Sequence, residues 1–239
     1  MDDYADLIRV VGMADSCELF SAAFSFPDHA IACALSQGTF QGDVESCLCD
    51  AGVEKSLVWE NEAWKRLLSL RGCDGAALLE RMRRAYSFVY LTPGSPEVLL
   101  YEGAFRHRAA NVSSIPSMFR SAATLDVERS MKEAGVAAVD ERRFPCDSVE
   151  REFAFLSYLA GSQASCLRGG DIPESLRWKE RFCSFARDHA CLWLPSFFNE
   201  TCLCEAADIY RDIAHFARLF VDGPLACACA DETGQERGR

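Results

Sequence analysis

At 239 residues, 49% of them hydrophobic, the chain can bury a substantial core and is too apolar to read as disordered. A formal net charge of −11, from 25 basic and 36 acidic residues, argues against a nucleic-acid partner, because phosphate binding needs clustered Lys and Arg. The opening Met1-Asp2-Asp3-Tyr4 is acidic where a secretion signal is basic, and no run reaches the roughly 18 uninterrupted apolar residues of a membrane span. These features point to a cytoplasmic protein with no stable membrane insertion.

Taken in order, the elements read as helices. Tyr4 to Phe26 keeps a 3.6-residue rhythm through Leu7, Val10, Ala14, Cys17 and Phe20. Pro27-Asp28 stops it and caps a second helix. Gly38 and Gly42 make a break, a short helix follows from about Asp43, and a longer one is expected from Val53 to Leu70. Asp74 caps a helix that ends near Tyr90, because two prolines and a glycine follow in 93–96. Ser95-Pro96-Glu97 reads as a fresh helix start, with Pro at the first helical position. Another helix is expected from Pro116 to about Gly135.

The stretch 143–156 passes from loop to helix. Pro145 disfavours helix before it, and Asp147 with Glu150 forms a capping-box pattern ahead of the stripe Val149, Phe153, Leu156 and Leu159. Gly169-Gly170 ends this helix. Asp171 and Glu174 cap the next, which runs towards His189 and is kinked or split at Pro195. A last helix is expected from Leu203 to Val221, with Asp208 and Asp212 facing water and Gly223-Pro224 as its stop. No run alternates as a strand does. The expectation is an all-α single-domain bundle of about nine to eleven helices over residues 1–225, with a flexible tail at 226–239.

Thirteen cysteines include three C-x-C pairs, at 47/49, 202/204 and 227/229. Structural zinc sites space their ligands C-x₂₋₄-C in turns, whereas i and i+2 on a helix point apart, so the thiols read mainly as small core hydrophobes rather than metal ligands. A cysteine-rich metal- or redox-sensing protein is the alternative from another class. No nucleophile elbow, H-E-x-x-H or phosphate loop is present, and no enzyme is expected. Trp59 falls off the apolar stripe of its helix beside Glu60 and Glu62, and an exposed aromatic among acids suits an apolar, basic peptide.

Three segments form an ordered set. The first is Tyr86-Ser-Phe-Val-Tyr-Leu-Thr-Pro-Gly-Ser-Pro96, followed by Tyr101-Glu102 and Phe105. The second is Pro145-x-Asp147 with Glu152-Phe-x-Phe-Leu156. The third is Phe185, His189, Trp193, Pro195 and Phe197, leading into Ile209-Tyr210 and Phe220. Over Tyr86 to Phe220 they resemble the TorD/DmsD/NarJ family of cytoplasmic chaperones, the redox enzyme maturation proteins. The resemblance implies an all-helical, TorD-like fold without a cofactor. It implies a non-enzyme that binds the twin-arginine signal peptide, or the apo catalytic subunit, of a molybdopterin oxidoreductase until its cofactor is inserted. It carries over the weak guanine nucleotide binding of some members, and a monomer or homodimer is expected, the proline-rich hinge near 91–96 being where helices could exchange. Residue by residue, it places Tyr86, Tyr101, Glu102, Pro145, Asp147, Ser148 and Glu152 at the client-binding surface, with Trp59 added from the local reading. Ser148 stands where the family commonly has histidine.

Overall fold

Helix α1 (Asp3–Phe24) lies along α9 (Val149–Gly169) and α3 (Thr39–Ala51), and its apolar stripe becomes the centre of the core. Cys17, Phe20 and Phe24 are fully buried, with Phe20 meeting Phe153 at 5.8 Å and Phe24 meeting Phe198 at 5.2 Å between ring centroids. The computed structural model describes residues 3–110, 120–136 and 145–235, and among these every regular element is helical. The all-α expectation holds. Pro116, the expected start of one helix, lies outside the described residues.

The remaining elements are α2 (His29–Gln37), α4 (Lys55–Trp59), α5 (Glu62–Leu68), α6 (Gly75–Leu91), α7 (Glu102–Ala109), α8 (Ala122–Glu133), α10 (Ile172–Phe185), α11 (Cys191–Leu203), α12 (Ile209–Phe220) and α13 (Ala226–Gln235). Asp28 and Asp74 cap α2 and α6 as their positions suggest. Tight packing explains one glycine that sequence reading passed over. A methyl group on Gly12 would overlap the backbone of Asp50 and Ala51, so this glycine lets α1 and α3 touch.

Several boundaries differ from the sequence expectations. Gly42 does not break a helix; α3 already starts at Thr39, behind Gly38 in the left-handed conformation. The single helix expected from Val53 to Leu70 is two, because Asn61 caps α5 by accepting the Trp64 amide at 2.8 Å. Ser95-Pro96 starts no helix. Residues 96–100 form no regular element and bend at Glu97 and Val98, burying Val98 and Leu100, and α7 begins at Glu102.

The two internal prolines do not end their helices. A π turn at Ala186–Ala190 joins α10 to α11 ahead of Pro195, and a second at Val221–Leu225 contains Pro224 and joins α12 to α13. At Pro224 the widened turn relaxes the clash between the proline ring and the carbonyl four residues back, so the helix passes on. The residues from 226 to 235, expected in a flexible tail, are therefore helical.

The last long helix also starts later than its stripe suggests. Cys204 to Asp208 is a 3-10 turn closed by Asp208 at φ 53°, and Leu203 is left 74% exposed. Asp212 does not face water. It is buried and accepts from Arg66 at 2.6 Å. The continuous helix Ile209–Ala230 is long and apolar enough to cross a membrane by length and composition, with mean hydropathy 1.3. Half of that window is buried inside the fold, where Tyr210, Ile213, Phe216 and Phe220 form core.

Candidate functional site: a buried carboxylate cluster

Two segments distant in sequence meet in one short antiparallel bridge. Tyr101 lies opposite Ser148, Glu102 N donates to Asp147 O at 2.8 Å, and Val149 N donates to Leu100 O at 3.0 Å. The bridge sets the starts of α7 and α9 side by side. It also redistributes the caps. Ser148, not Asp147, caps α9, its Oγ accepting the Arg151 amide at 3.3 Å. Asp147 turns across the bridge, and its Oδ2 accepts the Gly103 amide at 2.9 Å in the first turn of α7. The expected Asp147/Glu150 capping box does not form, because Asp147 has a better donor on another helix. Gly103 is required there. A Cβ on it would overlap the Ser121 hydroxyl and stand 3.0 Å from Asp147 Oδ2.

The first turn of α7 also aims Glu102 inward, where it is fully buried. Its Oε1 accepts from Arg106 at 2.5 Å, and its Oε2 accepts from His189 Nδ1 at 2.8 Å. Glu152, one turn into α9, is equally buried and accepts from Trp193 Nε1 at 2.9 Å. It also stands in hydrogen-bonding contact with Glu102. His189 and Trp193 are four residues apart on the α10–α11 helix, so one helix face supplies a donor to each glutamate.

Two carboxyls in contact share a proton rather than both ionising. Arg106 and His189 both face Glu102, so Glu152 is the carboxyl whose protonated form the site favours. Burial pushes the Glu152 carboxyl well above the usual carboxylate range, the charge of Glu102 adds to this, and the Trp193 N–H opposes it. Asp147 is raised first by burial, against the pull of the Gly103 amide and the Thr124 hydroxyl. On the outer side, His189 Nε2 faces Asp126 Oδ2 at 3.6 Å and lines a cleft of about 170 Å³ with Arg129, Glu133, Arg181 and Asp188. The cluster locks three helices and a loop together.

Of the residues expected at the client-binding surface, the structure gathers Tyr101, Glu102, Pro145, Asp147, Ser148 and Glu152 around this bridge. Pro145, Asp147, Glu102 and Glu152 are buried there, so their side chains are occupied within the fold. Ser148 is half-buried as a cap. Tyr101 is half-buried too, and burial raises its phenol. Tyr86 lies in a separate aromatic nest with Tyr90 and Tyr210, its hydroxyl donating to Phe24 O at 2.9 Å, and burial pushes its phenol up. Trp59 is 46% exposed on α4, under the Lys55 ammonium at 4.2 Å, and α4 packs on α3 and α5 away from the bridge.

The reading by local motif missed His189, Trp193 and Arg106 as members of the cluster. The signal was present in the four-residue spacing of His189 and Trp193, but their carboxylate partners lie 87 and 41 residues away. Among the described residues no set of three or more His, Cys, Asp or Glu side chains is arranged to hold a metal.

Residues 59–199, more than half of the chain, match the family model of the nitrate reductase delta subunit. The chain belongs to that family. The nitrate reductase delta subunit match contains every member of the carboxylate cluster, from Glu102 to Trp193, and it is the NarJ/TorD type of chaperone family indicated by the three motif segments. The family is one of redox-enzyme maturation chaperones rather than catalysts. Comparison with curated proteins and with solved structures yields no match.

Proposed function

We propose that this protein is a cytoplasmic maturation chaperone that holds the catalytic subunit of a molybdopterin oxidoreductase, through its twin-arginine signal peptide or its apo form, until the cofactor is inserted. Membership of the nitrate reductase delta subunit family carries this reading. The buried cluster serves it indirectly, as the frame that fixes α7, α9 and α11.

An open groove with a cavity volume of about 620 Å³ lies where α6, the 96–100 segment and the end of α11 meet. Phe88 at 54% exposure and Leu203 at 74% supply exposed apolar surface, with Val98, Cys204 and Ala206 between them. Glu97, Glu200 and Glu205 line the same groove. Glu200 is paired with Arg108, while Glu97 and Glu205 have no ion-pair partner among the described residues. An apolar floor with free carboxylates at its rim suits a peptide that combines an apolar stretch with arginines.

Titration calorimetry of the full chain with a peptide bearing an Arg-Arg pair and an apolar stretch tests the reading. Binding that falls at least tenfold in Leu203→Asp, with unchanged thermal stability, is the expected result. No binding to such peptides or to apo catalytic subunits overturns the chaperone assignment. Binding that is indifferent to Leu203→Asp and Phe88→Asp overturns only the groove.

A further inference from the structure

His189 uses one ring nitrogen inside the fold and turns the other outward. Nδ1 stands 2.8 Å from Glu102 Oε2, while Arg106 engages the other oxygen of the same carboxyl. Facing that acceptor, Nδ1 is the nitrogen that carries the hydrogen, which leaves Nε2 as the lone-pair acceptor of a neutral ring. Nε2 is buried and has no hydrogen-bonding partner among the described residues, on a side chain that is 2% exposed. Asp126 Oδ2, at 3.6 Å, is too far away to make a bond. A buried acceptor without a partner is costly, and this one opens on a cleft rather than on packed side chains.

The cleft, of about 170 Å³, lies between α8, α9, α10 and the π turn at Ala186–Ala190, and it is much larger than one water needs. Asp126 and Glu133 from α8 and Asp188 from the π turn bring three carboxyl groups to it, against two guanidinium groups from Arg129 and Arg181. Arg129 is engaged by Asp126 Oδ1 and approaches Glu133 at 3.9 Å. Arg181 lies over the Trp178 ring at 4.8 Å, and Ser184 donates to Asp188 Oδ2 at 3.1 Å. Phe155 and Phe185, both buried, line the same space, and the Phe185 ring lies 4.8 Å from that of His189.

We propose that this cleft binds a guanidinium group, which donates to His189 Nε2 and Asp126 Oδ2 together. Two acceptors side by side call for a ligand with more than one N–H, and the excess of carboxyl groups selects a cation and repels an anion. The aromatic lining favours a planar, weakly hydrated guanidinium over a strongly hydrated ammonium. A metal ion is not served, since among the described residues no three His, Cys, Asp or Glu side chains are arranged to hold one. The guanidinium comes either from an arginine of a polypeptide or from a free guanidine compound. Recognition here depends neither on a signal peptide nor on the groove beside α6, so failure at this cleft leaves the chaperone reading untouched, and the reverse also holds.

Occupancy has a route into the fold. A donor on Nε2 polarises the imidazole and strengthens its Nδ1 bond to Glu102, which tightens the link between the α10–α11 segment and the start of α7.

The test is long-range proton–nitrogen correlation on the full-length protein, isotope-labelled at histidine and held at neutral pH. The four rings are assigned through His29→Gln, His107→Gln and His215→Gln. A neutral His189 ring with its hydrogen on Nδ1 is expected, and N-acetyl-arginine amide should shift the Nε2 signal saturably. N-acetyl-citrulline amide, nearly the same shape without the charge, should give no saturable shift. Asp126→Asn, shown to be folded by thermal melting, should bind the arginine compound about fivefold more weakly. Methylguanidinium separates the two sources. Binding as tight as that of the arginine compound assigns the cleft to free guanidine compounds, and weaker binding assigns it to a polypeptide side chain. A ring that carries hydrogen on Nε2, no saturable shift with either guanidinium compound, equal binding of the citrulline compound, or unchanged affinity in Asp126→Asn overturns the proposal. The citrulline comparison needs no variant.

Discussion

Asp147 Oδ2 accepts the amide hydrogen of Gly103 at 2.9 Å, so a residue two positions before one helix caps another that begins 45 positions earlier in the chain. Ser148 takes over the local role at α9. The two caps can be separated by substitution. Ser148→Ala removes an ordinary cap and should cost about 1 kcal/mol. Asp147→Ala removes a buried acceptor as well and should cost about 2 kcal/mol, while Asp147→Asn keeps an acceptor and recovers most of the loss. Urea denaturation of the three variants measures this order. Equal losses for Ser148→Ala and Asp147→Ala would show that the cross-helix cap adds nothing.

Gly103 faces the same bridge. Gly103→Ala gains helix propensity of up to about 1 kcal/mol in an ordinary helix, yet here its methyl group meets Ser121 and approaches Asp147. Net destabilisation of about 1–3 kcal/mol is expected. Gly103→Ala combined with Ser121→Gly should recover part of it, because the closest overlap is then gone. Thermal melts of the single and double variants decide the matter.

The raised carboxyl of Glu152 has a consequence for pH. Its carboxyl is raised in the folded state above the ordinary value of 4.5, so folded protein holds this proton to higher pH than unfolded protein does. The contribution to stability is therefore full below about 4.5 and is lost as pH rises towards the folded value. Glu152→Gln keeps an acceptor for Trp193 and a donor for Glu102 without titrating. Measured against the wild type, it should gain in relative stability as pH goes from 5 to 8. Glu152→Ala should instead cost about 2–3 kcal/mol, since it leaves the buried Trp193 N–H without an acceptor. A gap between Gln and wild type that does not move with pH would mean that Glu152 is already ionised.

Asp208 is the non-glycine residue with positive φ among those described, at 53°. Its side chain pairs with Arg81 through contacts of 2.5 and 2.6 Å. Both partners are substantially exposed, so the pair contributes at most about 1 kcal/mol, whereas the backbone strain costs about 1–3 kcal/mol. Asp208→Gly should thus be neutral to stabilising by about 1 kcal/mol, and Asp208→Ala destabilising, as read from urea midpoints at constant slope. Loss of stability in the glycine variant would show that the Arg81 pair outweighs the strain.

Much of the helical architecture was legible in the chain because local chemistry decides it. The stripe of α1, the caps at Asp28, Asp74 and Asp171, and the stripe Val149, Phe153, Leu156 and Leu159 are all short-range features, and all appear in the structure. Where local signals compete, burial settled the matter. Pro195 reads as a kink or split and Pro224 as a stop, but Pro195 lies inside α11 and a π turn around Pro224 lets the last helix continue. Asn61 and Asp208 broke helices that periodicity alone would have run through.

By itself, the sequence pointed to the family and the all-helical class, and it named six residues that lie around 101–102 and 145–152, alongside Tyr86 and Trp59, which lie elsewhere. Those follow from residue types at fixed spacing, and spacing along a chain survives without coordinates. Only the tertiary structure decided what these residues do. Glu102 and Glu152 look like exposed acids on helix starts until His189 and Trp193 arrive from the other half of the chain. A carboxylate in water and a carboxyl sharing a buried proton have the same letter, and the difference lies wholly in which distant helix takes away the water.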